Sequence, residues 1–295
     1  MRAKSTDRIL LFLEITFKGV AALIVLVILV LMAYNGLVAH QAANRAEELA
    51  KKAGPTRRQQ MDELAQKYNE TLIREHQGLV AHPAENNGWR IDSDYTSQLS
   101  YPDEEVMAAL TIPKIDVHLP IYHGTDEPTL AKGVGHLYGT SLPVGVRDTH
   151  NSGQNAALTS HRGLPTALLF TRLDELNIGD MFSISVLDQT IKYRIDTITV
   201  VDPKKPQEYQ PLLRAKVGED RVTLITCTPF GVNTHRLIVS GKRTVDPLVP
   251  AHAVLPFPLW MAYWLAAAGI ISFGIWLWRK WRARGNVSAA RHSRR

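Results

Sequence analysis

The sequence is almost without cysteine, since Cys227 is the only one among 295 residues. It contains no Cys-x-x-Cys unit, and no two of its eleven histidines lie at the helical i, i+4 spacing. These are the patterns that make a metal motif specific. We also find no internal repeat and no low-complexity segment. We therefore expect neither a metal nor any other cofactor.

Acidic side chains are scarce at both ends of the chain. Residues 279–295 hold seven Lys or Arg and no carboxylate, and residues 1–8 carry a net charge of +2. The total of +6 therefore leaves residues 34–258 slightly acidic, at −3. Because the basic balance belongs to the tails, the charge does not argue for a nucleic-acid partner.

Two apolar segments are long enough to cross a bilayer. Residues 9–34 contain only Glu14 and Lys18 as charges, and residues 259–278 contain none. A helix of 26 residues rises about 39 Å, against a hydrocarbon core of about 30 Å. A cleaved signal peptide is the alternative for the first segment, although it exceeds a typical h-region and lacks a small-residue cleavage site. The positive-inside rule then puts both termini in the cytoplasm and residues 35–258 outside the cell membrane.

The chemistry concentrates in residues 223–241, which read TLITCTPFGVNTHRLIVSG. The β-branched and apolar runs 221–226 and 234–240 predict two strands separated by Pro229 and Gly231. If these strands pair as antiparallel neighbours, Cys227 lies near Arg236.

A thiol attacks a carbonyl only as the thiolate, so such a site also needs a base and a donor for the developing oxyanion. Arg236 is the candidate donor and His161, at the end of another short apolar strand, the candidate base. His235 is the alternative base, but strand neighbours point to opposite faces, so it faces away if Arg236 faces the thiol. The plainer interpretation makes Cys227 a small buried hydrophobe. An unpaired thiol outside the cytoplasm favours the functional one.

Four blocks of sequence resemble the sortase family, in particular the class C, pilin-polymerising sortases of Gram-positive bacteria. They are IPKIDVHLPIYHGT at 112–125, GVGHLYGTSLPVG at 133–145, LTSHRGLP at 158–165 and TLITCTPFGVNTHR at 223–236. The resemblance implies a cysteine transpeptidase with Cys227 as nucleophile, His161 as acid and base, and Arg236 as the third catalytic residue. It implies cleavage of an LPXTG-like sorting signal and transfer to a lysine of another pilin subunit. Anchoring of surface proteins to cell-wall precursor, an L,D-transpeptidase and a non-catalytic scaffold are the alternatives.

The expected fold is mainly β, a sortase-like closed barrel of about eight strands. Short extended runs with turn residues between them predict strands. These runs are 106–112, 119–122, 156–160, 181–186, 190–201, 222–226 and 234–243. Short helices are predicted from Asp126 to Gly133 and after Pro165, with leucines at 168, 169, 173 and 176.

The segment before the barrel is expected to be helical and then loop-like. Helix should continue outward from residue 35 to Gly54, and a second helix should follow with Thr56 as its N-cap. In class C sortases this region forms a lid with an Asp-Pro-aromatic motif, which is absent between residues 77 and 105 here. Trp89, Asp92 and Asp94 are the candidate lid residues, with the Trp in the cleft and an Asp against Arg236.

These predictions divide the chain into seven parts. They are a cytoplasmic tail (1–8), a transmembrane helix (9–34), an extracellular helical region with the lid (35–105), the catalytic barrel (106–245), a linker (246–258), a second transmembrane helix (259–278) and a basic cytoplasmic tail (279–295).

Overall fold

The computed structural model of the chain describes residues 2–79, 88–150 and 152–248, together with Gly269. Apart from that glycine, the second predicted span, 259–278, and the basic tail, 279–295, lie outside the described residues.

The first helix, α1, runs without a break from Arg2 to Lys52. Within it, Glu14–Lys52 is long and apolar enough to cross a membrane, and none of its most apolar window is buried by the protein. The predicted i, i+4 pair forms, with Lys18 Nζ 2.6 Å from Glu14 Oε1. Beyond the apolar stretch, small side chains including Ala43 and Ala46 are buried against the barrel. One continuous helix therefore joins the apolar segment to the folded domain.

The second helix, α2, spans Pro55–His76. The prediction that Thr56 is its N-cap is wrong, because Gly54 is the N-cap and Pro55 occupies the first helical position. Proline suits that position since it has no N–H to leave unsatisfied. Asn69 binds both the carbonyl and the N–H of Leu142, at 3.0 and 2.7 Å, which holds α2 against the barrel.

Eight strands close into a barrel, which confirms the predicted fold. Its strands are β1 (Val106–Ile112), β2 (Val117–His123), β3 (Val134–His136), β4 (Gln154–Thr159), β5 (Met181–Val186), β6 (Gln189–Val201), β7 (Asp220–Thr228) and β8 (His235–Thr244). The spatial order is β1-β2-β3-β4-β7-β8-β6-β5, and β5 pairs with β1 to close the circle. Only the β2–β3 and β4–β7 pairs are parallel. Closure removes free sheet edges, and the apolar interior includes the fully buried Phe182 and Tyr193.

Three short helices lie between these elements. They are α3 (Ser93–Thr96), α4 (Glu127–Lys132) and α5 (Pro206–Leu213). The predicted α4 is confirmed, with Asp126 as its N-cap. The sequence interpretation missed α5 and the short strand β3.

The prediction of a helix after Pro165 is wrong. The only helical residues there form a single 3-10 turn, Leu173–Glu175. Leu169 adopts a positive φ of 43°, which ends any α-helical path. The chain instead turns back, and the Phe170 N–H donates to the His161 carbonyl at 3.1 Å.

Candidate active site

Cys227 lies next to the last residue of β7, where its side chain is half-buried and free of any disulfide. In the antiparallel β7–β8 ladder its direct partner is Arg236, which confirms the predicted pairing of the two strands. Directly opposed residues project from the same face of a sheet with Cβ atoms about 5 Å apart. The Cβ atoms that carry the thiol and the guanidinium are therefore neighbours on one face of the sheet.

His161 reaches the same region from the other side of β7. Strand β4 pairs with β7 in parallel, and the last matched residues are Thr159 and Ile225. His161 and Cys227 each follow two positions later. Because the two strands run in the same direction, these side chains lie at the same end of the barrel.

The segments carrying Cys227 and His161 are tied together on both sides. Before the two residues, Thr226 Oγ1 donates to the Ser160 carbonyl at 2.9 Å. After them, Arg162 NH1 donates to Thr228 Oγ1 at 3.0 Å. The residues on either side of His161 therefore bind the residues on either side of Cys227.

Arg162 is the residue whose importance the sequence interpretation missed. Its side chain is only 6% exposed, and it also forms an ion pair with Asp174 and donates to the Thr171 carbonyl. The guanidinium carbon lies 5.9 Å from the ring centre of Phe230, in the loop that follows Cys227. A buried arginine with its donors satisfied gives a fixed geometry. The only signal in the sequence was its place immediately after the candidate histidine.

Within the described part of the chain, His161 has one polar side-chain partner, Glu127 at the start of α4. The distance from His161 Nε2 to Glu127 Oε1 is 3.1 Å, and the Glu127 side chain is 77% exposed. Exposed ion pairs contribute little to stability. This contact therefore orients the imidazole more than it stabilises the fold.

Arg236 donates to backbone carbonyls of its own loop, those of Asn233 at 3.3 Å and His235 at 3.1 Å. Among the residues that the structure describes, no carboxylate forms an ion pair with it. His235 is exposed and is matched with Thr228 in the ladder, one position from the Cys227 pair. It therefore projects from the opposite face, as the alternation of side chains along a strand predicts.

The candidate lid residues lie on the side of the barrel where α4 begins. Trp89 lies in the 3-10 turn Gly88–Arg90 and packs so tightly on Gly124 that a Cβ there would meet its ring at 2.1 Å. Asp92 does not contact Arg236. It caps α3 through the Tyr95 N–H and accepts a hydrogen bond from the Tyr138 hydroxyl at 2.7 Å.

Asp94 lies in the first turn of α3 and also forms no ion pair with Arg236. The candidate lid segment, residues 88–104, is instead joined to the start of α4 by an ion pair between Arg90 and Asp126. Asp126 directly precedes Glu127, so adjacent residues contact the lid segment and His161.

A buried tyrosine, which the sequence interpretation did not single out, anchors the lid segment. Tyr95 is fully buried, and its hydroxyl lies 2.8 Å from His136 Nδ1 and accepts from the Gly124 N–H at 3.2 Å. His136 Nε2 lies 2.7 Å from the Ser141 carbonyl and must be the donor there. In the neutral imidazole, Nε2 then carries the proton and Nδ1 is free to accept from the Tyr95 hydroxyl, which also lies 3.2 Å from the His136 carbonyl.

Burial sets the charge of this histidine and of its strand neighbour. His123 is matched with His136 in the β2–β3 ladder, and its edge meets the Tyr95 ring at 5.0 Å between centres. Loss of hydration disfavours the charged imidazolium, so burial lowers the pKa of each histidine to about 4. The Tyr95 pKa is raised for the same reason. This cluster is uncharged at neutral pH.

A pocket of about 340 Å³ opens between the lid segment and the barrel. Its walls include Trp89, Tyr122, His123 and Lys132, and Lys132 Nζ lies 2.6 Å from Glu105 Oε2. Among the described residues, no group of three or more His, Cys, Asp or Glu side chains is placed to hold a metal ion.

The arrangement resembles known proteins in both sequence and structure. Residues 110–244 match the family model described as a sortase domain. The crystal structure of sortase C1 from Streptococcus agalactiae is 36% identical, with a TM-score of 0.61, and the match covers 70% of this chain and 100% of that one. Sortase C-1 from Actinomyces oris is 44% identical, with a TM-score of 0.55, and the match covers 65% of this chain and 100% of that one.

A curated relative extends the likeness beyond class C. Sortase D of Bacillus subtilis is 29% identical over 180 residues, which is 59% of this chain and 83% of the relative. The barrel, the order of its strands and the similarity to two class C structures over their full length agree with one another. The chain therefore belongs to the sortase family of cysteine transpeptidases and, within it, to class C.

Proposed function

We propose that Cys227 is the nucleophile of this transpeptidase, with His161 as the acid and base and Arg236 as the oxyanion donor. The observation that carries the proposal is the pairing of Cys227 with Arg236 across β7 and β8. Two hydrogen bonds beside Cys227 support it: Thr226 donates to the Ser160 carbonyl, and Arg162 donates to Thr228. Together these contacts bring a thiol, an imidazole and a guanidinium to one end of the barrel.

The reaction runs in two halves. The Cys227 thiolate attacks the carbonyl carbon of the Thr-Gly bond in an LPXTG-like signal, and negative charge develops on the carbonyl oxygen. Arg236 donates N–H groups to that oxygen. His161 protonates the leaving glycine amine as the C–N bond breaks, which leaves the threonine acyl group as a thioester on Cys227.

An amine completes the transfer. His161, now neutral, takes a proton from the incoming amine, which attacks the thioester and expels the Cys227 thiolate. In this protein we propose that the amine is the side chain of a pilin lysine. Repeated transfer then builds a covalent polymer of pilin subunits at the cell surface.

The proposed membrane anchors determine the side of the membrane on which the reaction occurs. α1 supplies one anchor, and the proposed second span, 259–278, follows the barrel. The basic tails 1–8 and 279–295 place both termini in the cytoplasm and the catalytic barrel outside. Pilin subunits and the lipid bilayer are therefore the proposed partners.

The segment 88–104 is the proposed lid. Its contacts through Arg90 to Asp126 and through Trp89 to Gly124 bring it beside α4, whose Glu127 binds His161. Opening the lid breaks the Arg90–Asp126 ion pair and leaves Asp126 as the N-cap of α4 and Glu127 in contact with His161. The lid thereby controls access without carrying a catalytic group.

The test is the intact mass of the full chain in detergent after incubation with an LPXTG-type peptide. We expect an adduct equal to the acyl half of the peptide, absent in Cys227→Ala. Trp89→Ala should raise the adduct yield by releasing the lid. If neither the native chain nor Trp89→Ala is modified, Cys227 is not the nucleophile for this substrate.

The acceptor is tested in the same sample. Adding a lysine-containing pilin peptide should convert the adduct to an isopeptide-linked product of the corresponding mass. A cell-wall precursor peptide with a free amine is the competing acceptor. Turnover by that peptide alone would contradict pilin polymerisation while leaving thioester chemistry at Cys227 intact.

A further inference from the structure

The lipid-exposed part of α1 ends within a few residues of the point where the helix meets the barrel. Large apolar side chains are exposed as far as Leu37 and Val38, whereas Ala39 and Ala43 are buried by the domain. A hydrocarbon layer of about 30 Å takes about 20 helical residues. The outer boundary of the bilayer therefore lies near residues 34–38.

One loop of the catalytic domain reaches α1 at this level. The Asn35 side-chain amide donates to the Thr166 carbonyl at 2.9 Å. Thr166 belongs to the segment 163–171, which starts two residues after His161. The hydrogen bond gives Asn35, otherwise a polar group at the edge of the apolar layer, a partner from the catalytic domain.

A second loop lies against the first. Phe230, in the loop 228–234 after Cys227, packs on Gly163, where an added Cβ would lie 3.1 Å from its ring. Phe230 is nevertheless 58% exposed, and Val232 in the same loop is 64% exposed. Phe230 and Val232 therefore expose apolar surface to solvent in the loop that follows the candidate nucleophile.

Neither loop carries a charge. Segments 163–171 and 228–234 contain no Asp, Glu, Lys, Arg or His among 16 residues, although charged residues make up 21% of the chain. Loop 228–234 exposes Phe230 and Val232, and the exposed residue of 163–171 is Pro165. Such an uncharged surface suits the interface between headgroups and acyl chains. Electrostatic attraction to anionic lipid is not needed for such contact.

We propose that loops 163–171 and 228–234 rest on the outer surface of the lipid bilayer, so that the Cys227 site opens at the membrane. The inference rests on the proposed membrane anchoring by α1. His161 is five residues from Thr166, which limits the distance between them to about 18 Å. The site would therefore accept sorting signals that lie close to the bilayer.

The experiment is depth-dependent quenching in the full chain reconstituted into phosphatidylcholine vesicles. Cys227→Ala removes the only native cysteine. Single cysteines are then introduced by Pro165→Cys, Phe230→Cys, Leu26→Cys or Lys52→Cys, and each is labelled with an environment-sensitive fluorophore. Two sets of lipids supply the quencher, one with a nitroxide near the headgroup and one with a nitroxide deep in the acyl chain.

Lys52 is the matched control, because it is exposed on the same helix and lies 17 residues, or about 26 Å, beyond Asn35. We expect labels at 165 and 230 to be quenched at least twofold more than the label at 52. Adding phosphatidylglycerol should not change this ratio. Leu26 reports whether the span inserts.

If the label at 26 is quenched by nitroxide deep in the bilayer but the labels at 165 and 230 behave like that at 52, the proposal is wrong. If the label at 26 is not quenched, the membrane anchoring is wrong and the proposal falls with it. Formation of the peptide adduct on the native chain is measured separately. It therefore distinguishes failure of this inference from failure of the catalytic assignment.

Discussion

The end of the barrel that carries Cys227 and the lid segment 88–104 are held to the protein in different ways. Cys227 belongs to a strand that is hydrogen-bonded on both sides, by β4 and by β8. The lid segment is held chiefly by side chains, among them the buried Tyr95 and the Arg90–Asp126 ion pair. The backbone hydrogen bonds of the ladders are lost only when the whole barrel unfolds, whereas side-chain contacts can break locally. The molecule therefore joins a fixed candidate site to a segment, the proposed lid, that can open locally.

Replacing Arg162 should have the largest effect on the fixed region. Arg162→Met removes the bond to Thr228 and leaves the backbone ladders intact, so His161 and Cys227 lose alignment while the barrel still folds. We expect kcat to fall about 10- to 100-fold, or about 1.4 to 2.7 kcal/mol, with KM little changed. Steady-state kinetics with an LPXTG-type peptide measures this.

Arg172→Met is the matched control for that variant. Arg172 lies in the same loop, and its side chain binds Glu175 and the Ile115 carbonyl rather than β7. Its kcat should stay within about twofold of the native value. Equal losses in both variants would show that Arg162 acts only through general stability of the loop.

Acidification should weaken the lid anchor. His123 and His136 have pKa values of about 4 in the folded chain against about 6.5 when unfolded. Between these values the unfolded chain binds more protons, so the free energy of unfolding falls as the pH drops from 6.5 to 4 and levels off below 4. The loss for the fully buried His136 is roughly 3 kcal/mol.

Urea unfolding followed by circular dichroism at a series of pH values tests this dependence. His136→Gln keeps a group that accepts from Tyr95 and donates to Ser141, so it should reduce the slope and leave the part that is due to His123. The exposed His150→Gln should leave it unchanged. A native curve that is flat between pH 6.5 and 4 would show that neither histidine is held neutral.

Removing the Tyr95 hydroxyl should loosen the lid more than it weakens the barrel. Tyr95→Phe leaves His136 Nδ1 and the Gly124 N–H without their partner, at a cost of about 1–3 kcal/mol. Limited proteolysis should then cut within 88–104 faster than in the native chain. Tyr209→Phe should not change the rate, because Tyr209 is half-buried and its hydroxyl makes no hydrogen bond to any residue that the structure describes. Equal cleavage in both variants would mean that Tyr95 does not anchor the lid.

The smallest effect is expected at the exposed contact between the two regions. Glu127→Gln keeps an oxygen for His161 and removes a charge that is largely in water. We expect kcat to change by less than about twofold, because exposed pairs contribute only tenths of a kcal/mol. A tenfold fall in kcat, measured across the pH-rate profile, would instead assign Glu127 a direct role in holding the histidine proton.

Much of the fixed region could be predicted from sequence, because alternating and β-branched runs specify strands locally. β1 and β5 were predicted with the observed bounds, and the Cys227–Arg236 pairing followed from strand spacing alone. The prediction of a helix after Pro165 is wrong because Leu169, Leu173 and Leu176 reach the core from a series of turns, with Leu169 at positive φ.

The lid could not be predicted in the same way. Tyr95 and its partner His136 are 41 residues apart, and the local sequence around either residue does not predict their contact. Arg162 was missed for a similar reason, since Thr228 is 66 residues away. Side-chain contacts of long range follow from the folded barrel and leave no periodic signal in the sequence.

Hydrogen exchange followed by mass spectrometry compares the two regions most directly in one sample. The amides of residues 224–227 should exchange only with unfolding of the whole barrel, while those of 88–104 should exchange through a local opening of lower free energy. Tyr95→Phe should speed exchange in the second segment and leave the first unchanged. Exchange at 224–227 as fast as in the lid segment would contradict the proposal that the candidate site is fixed and that the lid opens locally.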